Sequence, residues 1–233
     1  MSPRLDAELV RRGLARSRAQ AADLVRAGRV LVDGSTALKP STTTSPNTPI
    51  EVAGDDPAWV GRAAYKLIAA LDSFGPRGLV VTGKRCLDVG ASTGGFTQVL
   101  LRRGAAHVTA LDVGHGQLVP ELAADPRVTE RSGTSIRDIG PEDLGGRFDL
   151  VVVDLSFISL RLVLPALTAL TDQDGYLVAL IKPQFEVGRD RLGKGGVVRN
   201  EGHRRDALLA VLWAAADVGL RLHGLMTSPI RGA

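Results

Sequence analysis

The spacing of apolar residues changes twice along this chain, and each change marks a new kind of element. Over the first 28 residues it is helical. Leu9 and Val10 supply the apolar side of a short segment spanning Asp6 to Arg12, and Ala21, Ala22, Leu24 and Val25 that of a second helix. Ser17-Arg18-Ala19-Gln20 reads as a capping box opening the second helix, with Gly13 and Gly28 as stops. After Gly28 the period falls to two. Val30 and Val32 point one way, Asp33-Gly34 is a hairpin signal, and a Ser-, Thr- and Pro-rich loop from Thr36 to Pro49 returns to a short strand at Ile50-Glu51-Val52.

Asp55-Asp56-Pro57 breaks the pattern, and Ala58-Trp59-Val60-Gly61 reads as linker. A helix over Ala63–Ser73 follows. From Arg85 strands and helices alternate, with strands expected at Arg85–Val89, His107–Leu111, Val128–Glu130, Asp149–Val153, Tyr176–Ile181 and Leu220–Thr227. Helices are expected over Phe96–Arg103, Gln117–Ala124, Leu160–Thr171 and His203–Val218. Unbroken apolar runs such as Leu150-Val151-Val152-Val153 suit strands buried on both faces. The expected fold is therefore α/β: a Rossmann-like, doubly wound parallel sheet preceded by a small α+β module. The expected boundaries are 1–53 for the module, 54–62 for the linker and 63–233 for the second domain.

Charge sharpens this division. The 233 residues carry 29 Lys plus Arg against 25 Asp plus Glu. Three of the four excess positive charges fall within residues 1–53, which hold eight basic and five acidic side chains. A small cationic module joined to a nearly neutral domain points to phosphate as the module's partner, with a merely solvated helix face as the plain alternative. The lone cysteine, Cys86, cannot form an internal disulfide or a thiolate metal centre, so a reducing, cytoplasmic setting and no metal are expected. No run is long and apolar enough for a signal peptide or a membrane span; the longest is Ala207–Ala216.

Candidate chemistry collects at the ends of the strands. Asp88-Val89-Gly90-Ala91-Ser92-Thr93-Gly94-Gly95-Phe96 leaves the first strand of the second domain, and Asp112 closes the next, placed for ribose hydroxyls. Ser92 stands where a dinucleotide fingerprint needs its second glycine. The pattern describes a nucleoside cleft without a phosphate cradle, which suits S-adenosylmethionine (SAM). Asp88, Gly90, Ser92, Gly94, Gly95, Phe96 and Asp112 are its candidate contacts. Gly90-Ala91-Ser92-Thr93-Gly94 also matches a hydrolase nucleophile elbow, with Asp154 and His203 or His223 as formal partners. Only one domain strand precedes Ser92, however, where an elbow follows several. Asp154 and Lys182 end the fourth and fifth strands, and Lys66 can fold back from the preceding helix. A lysine desolvated at an apolar strand end and oriented by a carboxylate can take a proton from a hydroxyl. A structural Lys–Asp pair is the plain alternative. The basic loop Lys182, Arg189, Arg191, Lys194 and Arg199 is placed beside RNA.

Two resemblances follow from these motifs. Arg4-Leu5-Asp6, Gly13-Leu14, Ser17-Arg18, Gly28-Arg29-Val30, Val32-Asp33-Gly34 and Lys39-Pro40 resemble the S-four ribosomal-protein type of RNA-binding module. That resemblance implies that Arg4, Arg18 and Lys39, with Arg11 and Arg29, face RNA phosphates. The module followed by Ala64-Tyr65-Lys66-Leu67, Asp88–Phe96, Asp154–Leu160, Lys182–Gly188 and Gly195-Gly196-Val197-Val198 resembles the TlyA family. These are ribosomal RNA 2′-O-methyltransferases related to the FtsJ/RrmJ class and sometimes labelled haemolysins. The resemblance implies SAM as cofactor and cytidine ribose in ribosomal RNA or ribosomal subunits as substrate. It places a Lys-Asp-Lys-Glu tetrad on Lys66, Asp154 and Lys182, and Phe157 near the cofactor or target base. Family members continue past Ser228–Ala233 into a stretch carrying the tetrad glutamate and a last antiparallel strand. A truncated, monomeric member is therefore expected, its sheet lacking the strand between the fifth and sixth. An RNA-binding protein with an inactive second domain is the rival reading, and a membrane-active protein a third.

Overall fold

The computed structural model describes residues 3–15, 17–26, 28–45, 47–52, 59–193 and 195–230, without the side chain of Arg189. Asp55-Asp56-Pro57, Lys194 and the last three residues lie outside these. The chain divides into two compact units, residues 1–62 and 63–233.

In the first unit, helices α1 (Leu5–Arg11) and α2 (Arg18–Arg26) precede a three-stranded antiparallel sheet of β1 (Val30–Val32), β2 (Ser35–Thr36) and β3 (Ile50–Val52), in the order β2-β1-β3. The Ser17 hydroxyl accepts the Gln20 amide at 3.2 Å, as an N-cap should. The helix stops where the Gly28 and Arg29 amides turn back to the carbonyls of Val25 and Leu24. Val32 pairs with Ser35, so Asp33-Gly34 forms a two-residue turn with both φ angles positive. Leu5, Leu9, Leu24, Val25, Val30 and Ile50 close a core between the helices and the sheet.

The second unit opens with α3 (Ala63–Phe74) and continues as a wound α/β layer. Strands β4 (Arg85–Val89), β5 (His107–Leu111), β6 (Val128–Arg131), β7 (Phe148–Val153) and β8 (Thr171–Ala179) form one parallel sheet in the order β6-β5-β4-β7-β8. Helices α4 (Gly95–Arg102), α5 (Pro120–Ala123), α6 (Leu164–Leu170) and α7 (Glu201–Asp217) complete it. Leu87, Val89, Val151 and Val153 are buried in the sheet core, as strands covered on both faces require. Cys86, in central strand β4, is fully buried, and burial pushes its thiol up to about 12. All five strands run the same way, so their carboxyl ends share one edge. The candidate residues at positions 88–96, 112, 154 and 182 gather there.

Four expectations need correction. The strand expected at Tyr176–Ile181 runs instead from Thr171 to Ala179, beginning where the preceding helix was expected to end. Leu220–Thr227 forms no strand. Among the described residues β8 is the edge of the sheet and this segment pairs with no strand; Leu222 and Leu225 are left exposed. The helix expected from Gln117 begins only at Pro120, whose fixed φ suits a first helical position and whose ring disfavours a helical residue before it. The segment after Ser159 is a 3-10 turn (Leu160–Leu162) followed by α6, which Pro165 helps to start. No described helix is long and apolar enough to cross a membrane.

Candidate active site

The loop leaving β4 is held by its neighbours. The amides of Gly90 and Ala91 bond to the Leu111 carbonyl at the end of β5, and Gly94 N–H closes a turn on Ala91. Gly90 has φ +86°, and a Cβ there would stand 2.8 Å from the Asp154 carbonyl oxygen. A side chain is thus refused twice, by dihedral and by space. At Gly94 (φ +97°) a Cβ would meet the ends of Leu118 and Leu122. The main chain is drawn close around an open cleft lined by Ala91, Ser92, Asp112, Gly114, Gln117, Leu118, Glu130 and Ser132.

Asp112 organises the lip of this cleft. One carboxylate oxygen accepts the Ser92 amide at 2.8 Å and the other the Gly114 amide at 2.7 Å. Each oxygen keeps a further lone pair for an incoming hydroxyl. Asp88 lies behind the loop, fully buried, and accepts the Thr97 hydroxyl at 2.7 Å, tying β4 to the first turn of α4. Its Oδ1 meets no donor among the described residues. Burial pushes this carboxyl up to about 7 against the opposing pull of the Thr97 hydrogen bonds. Gly95 begins α4, and Phe96 is buried beside it. The Ser92 hydroxyl donates to the Gln117 side-chain oxygen at 3.1 Å. It therefore meets an amide where a hydrolase elbow needs an imidazole, and the His223 ring packs edge-on against Tyr176. Among the described residues no imidazole is hydrogen-bonded to the Ser92 hydroxyl, as an elbow would require.

The lysines converge as expected. Lys66, on α3, donates to Asp154 Oδ2 at 2.9 Å. Lys182 Nζ lies 2.7 Å from the other oxygen, Oδ1. That contact is an ion pair lacking hydrogen-bond alignment, and Lys182 donates instead to the Ser156 hydroxyl at 2.8 Å. The side chains of Lys66, Asp154 and Lys182 are 18%, 11% and 19% exposed, so one carboxylate is shared by two mostly desolvated ammonium groups. Beside them Phe157 is 92% exposed, in the left-handed region at φ +66°, with its ring 5.3 Å from that of Phe185.

In the first unit the candidate RNA contacts are fixed by acids. Arg4 grips Asp6 through Nε at 3.1 Å and Nη2 at 2.9 Å, and Arg18 reaches the same carboxylate at 3.1 Å. Arg11 and Arg12 both bond to buried Glu8, each with its closest Nε contact at 2.7 Å. These guanidiniums hold Asp6 and Glu8 down at about 2. Lys39 is exposed in the loop after β2, Arg29 follows the stop of α2, and Arg189 opens a 3-10 turn beyond Lys182.

Sequence reasoning left Gln117, Glu130 and Ser132 out of the candidate contacts and missed Ser156 as the Lys182 partner. The end of the third strand of a wound sheet marks the cleft's far side, which could have flagged Glu130 and Ser132. Among the described residues no group of three or more metal-ligating side chains gathers.

Residues 59–233 match the FtsJ-like methyltransferase family, and residues 3–50 match the S4 domain. The chain belongs to the FtsJ-like methyltransferase family. It is 54% identical to the 16S/23S rRNA (cytidine-2′-O)-methyltransferase TlyA of Mycobacterium tuberculosis over 230 residues, 98% of this chain and 85% of that one. It is 38% identical to Hemolysin A of Brachyspira hyodysenteriae, over 99% of this chain and 95% of that one. A solved hemolysin-named protein from Streptococcus thermophilus superposes with a TM-score of 0.73 at 39% identity, covering 99% of this chain and 84% of that one. The sheet, the glycine loop and the lysine–aspartate cluster described above are thus the FtsJ-like unit, with the basic S4 unit ahead of it.

Proposed function

We propose that this chain transfers a methyl group from SAM to a ribose 2′-hydroxyl of ribosomal RNA, with cytidine as the target nucleoside, in the cytoplasm. The observation that carries the reading is Asp154 held between Lys66 and Lys182 beside a loop whose Gly90 leaves no space for a side chain. The family and the name of the Mycobacterium tuberculosis relative support the substrate.

The residues present fit SAM. The loop from Gly90 to Gly94 brings main chain to the rim of the cleft, and Asp112 offers its carboxylate to ribose hydroxyls. Asp88 acts from behind by holding β4 to α4. When bound, SAM supplies an electrophilic methyl on a sulfonium. Everything else falls to the chain. Once its ammonium has given a proton to solvent, the neutral Lys182 amine accepts the proton of the 2′-hydroxyl; Asp154 orients Lys182, and the Lys66 ammonium offsets the carboxylate charge. Fixed placement of the hydroxyl supplies much of the remaining rate. In the S4 unit, arginines already ordered by Asp6 and Glu8 keep outward N–H groups for RNA phosphates, contacts that position RNA without reading its sequence.

Lys182→Ala separates this reading from an RNA-binding protein with an idle second unit. Methyl transfer to ribosomal subunits should fall by about 10²-fold or more, with SAM affinity by calorimetry within about threefold of wild type. Retained turnover would remove Lys182 as the base. A wild-type chain that shows no saturable heat with SAM would remove the enzymatic reading altogether.

A further inference from the structure

Glu186 stands four residues beyond Lys182, and its side chain is 1% exposed. One carboxylate oxygen accepts the Ser159 hydroxyl at 2.6 Å and the other the Leu160 amide at 2.8 Å. Arg161 Nε, 3.4 Å away, brings the opposite charge. A buried carboxylate is tolerated only when it is paired and hydrogen-bonded, and all three partners here come from one short turn, Ser159 to Arg161. That turn ends the segment beginning at Asp154. Glu186 is meanwhile locked to Lys182 by a single 3-10 turn, in which Phe185 N–H bonds to the Lys182 carbonyl at 2.9 Å and Glu186 N–H to that of Pro183 at 3.0 Å.

Two segments carry the charged centre, one with Asp154 and one with Lys182, and they are joined twice. In front, Lys182 meets Asp154 and Ser156. Behind, Glu186 holds Ser159 and Leu160. Between the two joints lies Phe157 in its left-handed conformation, which a bulky residue keeps only where its surroundings fix both ends. One end is fixed by Asp154 N–H on the Val89 carbonyl at 3.0 Å. Glu186 fixes the other.

We propose that Glu186 is a positioning residue for methyl transfer, setting the placement of Lys182 against Asp154 from behind without touching cofactor or RNA. The inference rests on the reading of Lys182 and Asp154 as the transfer centre. A carboxylate that only capped the 3-10 turn would, when removed, cost stability and leave the turnover of the folded chain intact.

The test compares the full chain with Glu186→Ala and Glu186→Gln at a temperature where circular dichroism finds all three folded. Radiolabelled SAM and purified ribosomal subunits give kcat and KM, and calorimetry gives the SAM affinity. Glu186→Ala should lower kcat by about 100-fold, the scale on which small misplacements act. KM and Kd for SAM should stay within about threefold. Glu186→Gln keeps an oxygen for the Leu160 amide and should recover at least about tenfold of the loss. A folded Glu186→Ala chain with kcat within about threefold of wild type overturns the inference alone. So does a loss of SAM affinity in step with kcat, which would mean that the whole cleft had collapsed. A wild-type chain that moves no methyl group defeats the underlying reading and this inference with it.

Discussion

The two units bury their carboxylates to opposite effect. In the S4 unit, Asp6 and Glu8 are buried under arginines and held down at about 2. In the FtsJ-like unit, Asp88 is buried against a threonine hydroxyl and pushed up to about 7. Burial is common to all three, so the direction is decided by the partner: a guanidinium within hydrogen-bond reach outweighs desolvation, and a hydroxyl does not. Each choice matches the work proposed for its unit. Arginines fixed by acids form an ordered cationic surface, whereas Asp88, with no cation bonded to it, ties β4 to α4 through the Thr97 hydroxyl.

The strongest test of that separation is Gly90→Ala. The added methyl meets the Asp154 backbone at 2.8 Å in a conformation that alanine resists, so SAM affinity should fall by more than about tenfold. Affinity for a ribosomal RNA fragment should be unchanged when the same protein is titrated by fluorescence anisotropy. A parallel loss of both would mean that the units do not act separately.

Next comes pH, where the two units should move in opposite directions. Asp6 and Glu8 have lowered folded values, so the stability they contribute is present above about 4 and lost as pH falls towards about 2. Asp88 has a raised folded value. From about 4 to about 7 its unfolded form is ionised while its folded form holds the proton, so stability falls as pH rises through that window and then levels. Asp88→Asn should flatten this slope, removing a dependence on the order of 2–4 kcal/mol. Hydrogen exchange read separately on α1 and β4 amides across pH 2 to 8 would check both trends, and a common trend in the two units would break the comparison. Ser17→Ala is the smallest change. It removes the cap of α2 and should cost about 1 kcal/mol in the first unit, leaving protection of the second unchanged by the same measurement.

Much of this was legible in the sequence because local chemistry and tertiary context agree. Central strands β4 and β5 fall at the expected bounds, because Cys86, Leu87 and Val89 in one and Val108, Ala110 and Leu111 in the other are all buried in the sheet. The cap at Ser17 and the turn at Asp33-Gly34 are decided by nearest neighbours alone. The gathering of Lys66, Asp154 and Lys182 followed from the rule that ligands bind at the carboxyl ends of wound strands. What escaped depends on partners distant in sequence. Leu220–Thr227 has a strand's composition but no ladder to join. Glu186 read as one more polar residue in a loop, because its partners lie 26 and 27 residues away. The resemblance turned Arg11 toward RNA phosphates and said nothing of its acid, although the spacing of Glu8, Arg11 and Arg12 already allowed i,i+3 and i,i+4 pairs.

The chain has one thiol, and it lies second in the central strand, flanked by Val108 and Leu150. A thiol fully buried and raised to about 12 offers almost no thiolate to an oxidant or an alkylating reagent. Cys86 can react only when the layer packed over its face of the sheet opens. Its labelling rate under native conditions therefore clocks the opening of the FtsJ-like unit, from a probe already present in every molecule.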